Sequence, residues 1–248
     1  MRILALDSSG LVASVALMDD EVLLGEYSTN MHRTHSTTLL PMLDELMRMC
    51  QLSVKKAGID AIAVAKGPGS FTGLRIGAAT AKGLALTLNV PIIPVSTLMG
   101  LCYNLWGVEG TICPLMDARR HQVYTAGYRF HTQTSDENDR ESVSLETLAE
   151  PCAVDVSEII DRVNDWGGRV TFLGDGVPVY QDDIRAGCHI PFRIAPASMN
   201  RQRAASVGFC AIRMVEEDSG CMIQSDKFAP EYLRLSQAER ERLEQEQG

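Results

Sequence analysis

The sequence predicts an α/β fold built in layers. Three observations predict it. Short apolar runs in the first 27 residues read as a meander of strands. Between residues 35 and 105, helical periodicity alternates with further short apolar runs. Hydrophobic residues make up 45% of the 248 and charged residues 22%, enough apolar material for a sizeable core or two small ones.

Each element has its own signal. Arg2–Leu6 is an apolar run closed by the polar turn Asp7-Ser8-Ser9-Gly10, and so reads as a strand. Val12–Leu17 and Val22–Tyr27 follow as strands, with Asp19-Asp20 at the turn between them. Over His35–Cys50, Leu39, Leu43, Leu46 and Cys50 recur at helical spacing. Ala61–Ala65 is a fully apolar strand, and Gly67-Pro68-Gly69-Ser70-Phe71-Thr72-Gly73 leads from it into a helix over Leu74–Leu88. Pro91–Val95 is a strand and Thr97–Leu105 a helix. Ile112–Met116 and Val123–Phe130 read as strands. The acid-rich stretch His131–Glu150 reads as an exposed loop. Val154–Trp166 reads as a helix, Val170–Leu173 as a strand ending at Gly174-Asp175-Gly176, and Arg201–Glu217 as an amphipathic helix. A charged, mixed-sign tail ends the chain.

Composition narrows the function. With 23 Lys and Arg against 32 Asp and Glu, the net charge is −9. Affinity for phosphate backbones comes mainly from cations, so the chain alone is expected to bind RNA no tighter than the non-specific range of about 10⁻⁴ to 10⁻⁶ M. The seven cysteines show no C-x-x-C pair, fitting neither a zinc ribbon nor a disulfide framework. With no signal peptide at the N-terminus, they suggest a cytoplasmic protein. Gly83–Val108 carries no charge over 26 residues, but Pro91 and Pro94 interrupt it, and passage through a core explains it better than a membrane span.

The motifs are chemically incomplete. The glycine-rich loop, with Gly67, Gly69, Ser70, Thr72 and Gly73, precedes a helix N-terminus, a setting that suits an anion. It matches no Walker A, G-x-G-x-x-G or G-x-S-x-G pattern, and tight packing of the helix explains its glycines as well. Asp7, Ser8 and Ser9 could hold a phosphate or a metal-bound water, or form an ordinary turn. His32 and His35 have the wrong spacing for a zincin. On the Leu74–Leu88 helix Arg75, Ala79, Lys82 and Leu86 share one face, which the two cations turn outward. The His35–Cys50 helix is apolar over more than half its circumference, including Leu39, Leu40, Leu43 and Met47. Two over-wide apolar helices are expected to form a partner surface or to lie under a second domain.

Ile3-Leu4-Ala5-Leu6-Asp7-Ser8-Ser9, Lys66-Gly67-Pro68-Gly69-Ser70-Phe71-Thr72-Gly73-Leu74-Arg75, Val95-Ser96-Thr97-Leu98, Met116-Asp117-Ala118-Arg119-Arg120 and Pro230-Glu231-Tyr232-Leu233-Arg234 occur here in order. On these residues the chain resembles the TsaB (YeaZ) family, bacterial paralogues of TsaD. The resemblance implies a two-lobed actin/Hsp70/sugar-kinase-like, ribonuclease H-like fold with a degenerate nucleotide cleft. It implies an N-terminal lobe over 1–108, a C-terminal lobe over 109–235 and a tail over 236–248. It also implies a role as non-catalytic scaffold in making threonylcarbamoyladenosine beside the anticodon of tRNA. The partners implied are a TsaD-type paralogue and a TsaE-type ATPase, with tRNA met only through the complex and a homodimer when the chain is alone. The implied interface residues are Leu39, Leu40, Leu43, Met47, Arg75, Ala79, Lys82 and Leu86. TsaD-like proteins hold a metal through H-x-x-x-H, and the matching positions here are Thr97 and Leu101, so no metal, cofactor or catalytic residue is expected. Ser9 and Asp117-Ala118-Arg119-Arg120 stand where phosphate loops carry glycines. A glycoprotease-like peptidase and a small-molecule kinase remain as alternatives.

Overall fold

In the computed structural model of the chain, which describes residues 1–31, 34–135 and 140–234, strand β1 (Arg2–Asp7) is buried on both faces. Leu4 and Leu6 join one core, Ile3 and Ala5 another. A strand with two apolar faces needs cover on both sides. β2 (Ala13–Asp19) and β3 (Val22–Thr29) extend from β1 as an antiparallel meander. β4 (Ala61–Gly67) and β5 (Ile92–Ser96) add in parallel on its other side, giving the order β3-β2-β1-β4-β5. Helices α1 (His35–Met49) and α2 (Phe71–Leu88) cover the Leu4 face with Leu39, Leu43, Leu46 and Ala78, Ala81, Ala85.

A second sheet repeats the plan. β6 (Thr111–Arg119), β7 (Gln122–Ser135) and β8 (Arg140–Asp155) form its meander. β9 (Val170–Leu173) and β10 (Phe192–Ile194) add in parallel, in the order β10-β9-β6-β7-β8. Between these strands come α4 (Val156–Trp166) and the short helices α5 (Gly176–Val179) and α6 (Gln181–Gly187). Ile159, Val163 and Ile184 of α4 and α6 cover its outer face. α3 (Thr97–Cys102) and α7 (Ala204–Glu217) fill the space between the sheets. Leu98, Leu101, Val207, Cys210 and Ala211 share one core with Ile3 of β1 and Ile112 and Tyr128 of the second sheet. The layers run helix, sheet, helix, sheet, helix, which is the two-lobed fold expected from the resemblance.

Several expectations are corrected. His131–Glu150 is not a loop: residues on either side of 136–139 pair from Gln122↔Asp155 to Ser135↔Arg140. Val143 and Leu145 alternate with the exposed Ser142, Ser144 and Glu146, so one face packs on the core while polar side chains cover the other. α2 begins at Phe71, three residues before the expected start, because Ser70 caps it by accepting from the Gly73 amide. α4 begins at Val156, where Asp155 accepts from Ser157. The C-terminal lobe expected over 109–235 is not one unit. α7 packs on β1 and β2, Ile223 pairs with Ile92, and Phe228 enters the α1–α2 core, so the chain returns to the first sheet. α5, α6 and β10 carried no clear sequence signal. The 236–248 tail and His32 lie outside the described residues.

Candidate functional site

The first turn after β1 and the loop after β4 open onto a cleft of about 680 Å³, faced from the second sheet by Asp117 and Arg119. Local chemistry fixes both sides. Asp7 is 1% exposed, and its Oδ1 accepts from the Ser9 amide at 2.8 Å and the Ser9 hydroxyl at 2.6 Å. Burial pushes its carboxyl up to about 6, although the Ser9 hydrogen bonds pull the other way. Ser8 Oγ donates to the Gly73 carbonyl at 2.8 Å, and the Ser70 amide donates to the Ser9 carbonyl at 2.7 Å.

The glycines serve this contact. A Cβ on Gly69 would lie 2.2 Å from the Ser9 carbonyl oxygen, and one on Gly73 2.1 Å from that of Ser8. The loop is glycine-rich because another backbone runs against it, the packing explanation available from the sequence. Gly67 meets the Glu231 carbonyl in the same way.

Across the cleft, Asp117 accepts from the Arg119 amide at 2.8 Å and from the Tyr180 hydroxyl at 3.0 Å. Its own amide donates to Asp175 at 3.3 Å. Burial raises the Asp175 carboxyl, and burial together with the Asp117 hydrogen bond takes the Tyr180 phenol to about 12. The β6–β7 turn holds Arg119, Arg120 and His121 at φ of 65°, 56° and 61°. Left-handed backbone costs non-glycine residues about 1–3 kcal/mol each. The turn is secured by Arg119 on Asp117 at 3.1 Å and by His121 between Asp155 at 3.5 Å and Asp183 at 3.6 Å.

These contacts decide what the cleft can hold. Several amides at the cleft are bound internally: Ser9 to Asp7, Ser70 to Ser9, Gly73 to Ser70, Arg119 to Asp117 and Asp117 to Asp175. Two carboxylates, Asp117 and Asp175, also line the opening. With these amides taken and two carboxylates at the opening, the residues fit a nucleotide's phosphates poorly. Nor do they fit the metal of TsaD-like proteins: Thr97 is 0% and Leu101 1% exposed, both between the sheets, and neither is a useful ligand. Among the described residues no group of three or more His, Cys, Asp and Glu is arranged to hold a metal. His35 is occupied at Nε2 by the Gly10 carbonyl at 2.9 Å.

A second candidate surface lies on the outer helices. On α2, Arg75, Ala79 and Leu86 are exposed and Lys82 half-buried, with Leu86 at 76%. On α1, Leu40 is 54% and Met49 59% exposed. Leu39, Leu43 and Met47, expected at the interface, are instead buried at 1%, 4% and 3%. α2 and the first sheet already cover that side of α1, so three of the eight interface residues are core.

The model of the TsaD family, described as tRNA N6-adenosine threonylcarbamoyltransferase, matches residues 23–242. A curated relative from Bacillus subtilis (strain 168), a tRNA threonylcarbamoyladenosine biosynthesis protein TsaB, is 30% identical over 98% of this chain and 99% of its own. The protein of that name from Escherichia coli (strain K12) is 39% identical over 73% of this chain and 74% of its own. The chain belongs to the TsaB family. The solved structure of YeaZ from Pseudomonas aeruginosa superposes with a TM-score of 0.65 at 26% identity, covering 94% of this chain and 99% of that one. Another from Pseudomonas aeruginosa, with similarity to peptidase YEAZ, reaches 0.72 at 21% identity over the same shares and shows the shared fold. The sequence offered Asp7, Ser8, Ser9 and Asp117 as altered phosphate loops and the glycine-rich loop as a separate candidate; the structure brings Ser9, Gly69, Ser70, Thr72 and Asp117 together around one cleft. Sequence reasoning gave Glu231, Tyr232 and Arg234 no role, although Pro230-Glu231-Tyr232-Leu233-Arg234 stood out as a motif. Tyr232 and Arg234 line the same cleft.

Proposed function

We propose that the chain is a non-catalytic scaffold and activator in the synthesis of tRNA threonylcarbamoyladenosine, pairing with a TsaD-type paralogue and a TsaE-type ATPase. Its relatives are named for that biosynthesis. The observation that carries the reading is the outward face of α2. Leu86 presents an apolar knob, Ala79 a shallow slot between Arg75 and Lys82, and Leu40 of α1 adds apolar area. Two adjacent helices of this kind offer half of a four-helix contact with a matching pair on the paralogue. The cleft supports a role without catalysis, since several of its amides are taken by its own side chains and carbonyls. RNA is reached through the partner, since the net charge of −9 gives this chain little hold on phosphate. The test is Ala79→Arg, which puts a cation into the slot. Pull-down with the TsaD-type protein is expected to fall at least about tenfold while the melting temperature stays unchanged. Normal binding by a folded variant overturns the assignment of this face.

A further inference from the structure

The C-terminal segment crosses the molecule in a series of anchors. Ile223 and Ile92 exchange two backbone hydrogen bonds of 2.8 Å at the edge of the first sheet. Phe228, 2% exposed, is buried among residues of α1, α2 and β1. The Glu231 amide donates to the Lys66 carbonyl at 2.7 Å, and its carboxylate pairs with Lys66 Nζ at 2.7 Å. The Tyr232 ring lies 4.7 Å from that of Phe71, the first residue of α2, and the Arg75 guanidinium sits 4.0 Å from the same Phe71 ring. All of these anchors hold the segment to the first sheet and its helices. Arg234 then reaches across the cleft and donates to the Ala118 carbonyl of β6.

We propose that residues 223–234 form a latch. Ile223, Phe228 and Glu231 fix it to one lobe, Tyr232 braces it on α2, and Arg234 draws the β6–β7 turn of the other lobe toward it, closing the cleft mouth. The position of the bond explains its use. Ala118 lies where the β6–β7 pairing slips register, between Asp117 and Arg119, so its carbonyl stands outside the regular ladder. The turn just beyond it carries three left-handed residues and gains from an external tie. A latch of this kind ties the two lobes together across the cleft without a bound ligand between them, and Tyr232 and Arg234 line that cleft.

The experiment is amide hydrogen exchange on the full chain, comparing wild type with Arg234→Ala and Arg234→Lys. Removing one charge-assisted hydrogen bond is expected to speed exchange across Met116–Tyr124 about five- to tenfold, with α1 and α4 unchanged. Lysine keeps a donor and is expected to speed it less. Wild-type exchange in that turn for Arg234→Ala overturns the latch. So does a rise spread evenly over the whole chain, which makes Arg234 a residue of global stability. A third arm, Tyr232→Ala, is expected to loosen the same turn, because the brace on Phe71 is what aims Arg234; an unchanged turn there removes Tyr232 from the device.

Discussion

Asp7 ends β1 with a carboxyl that the fold removes from water, and the two Ser9 donors only partly offset that cost. The ordinary value is 3.8 and the folded one about 6, so between them the folded chain keeps a proton that the unfolded chain has released. Stability therefore falls as pH rises through that window, by about 3 kcal/mol once both states are ionised. Asp7→Asn keeps the acceptor for Ser9 and removes the charge. It is expected to melt well above wild type at pH 8, with the gap closing toward pH 3.5; parallel melting curves at both pH values would show that ionised Asp7 costs nothing. The aspartate was legible in the sequence as a turn residue after a strand. Its confinement was not, because it depends on Gly69, Gly73 and Gly77 bringing the following helix onto Ser8 and Ser9. The same limit applies to Tyr180, whose bond to Asp117 joins residues 63 apart in sequence.

α2 shows which features of an element can be read before folding. Arg75 and Lys82 mark its outward face, since long cations resist burial, and the structure leaves that face open. α1 was read less well. Its broad apolar surface looked like an interface, yet Leu39, Leu43 and Met47 are covered by the neighbouring layers, and apolar width alone does not say what does the covering. β8 and the end of β7 beyond Phe130 were missed for the opposite reason: a hairpin with one wet face carries enough polar residues to resemble a loop. The glycines of α2 allow a sharp test within one helix. A methyl on Gly73 runs into the Ser8 carbonyl, whereas one on Gly83 meets nothing within 4 Å. Gly73→Ala is expected to destabilise by about 2 kcal/mol or more through overpacking. Gly83→Ala is expected to stabilise by about 0.5–1 kcal/mol through lower chain entropy. Chemical denaturation of both variants reads the contrast, and equal effects would mean that the loop does not pack on Ser8 as described.

At the scale of the molecule, chain order and spatial order diverge. The meander-then-crossover pattern of the first sheet was legible over residues 1–105, and the second sheet repeats it. The placement of α7 was not, because an amphipathic stripe of Ala204, Val207, Ala211 and Met214 fits any apolar sheet. In the structure α7 lies on β1 and β2 and also meets α3, so the inner face of the first sheet is completed by residues about 200 positions away. Ile3, Ala5, Ala16, Met18, Ala63 and Val95 all point into that shared core. A fragment of residues 1–108 keeps α3 but leaves the rest of this face without its cover, and buried aliphatic side chains lose about 1.5–3 kcal/mol each when exposed. Such a fragment is expected to be insoluble or to melt without cooperativity, even though it contains every strand of its sheet. Adding a peptide of residues 200–234 restores α7, the Ile223 pairing and Phe228 together, and is expected to return a cooperative transition by circular dichroism. If the fragment alone unfolds cooperatively near the temperature of the full chain, the first lobe is independent of α7 and the lobes are joined less tightly than their shared core requires.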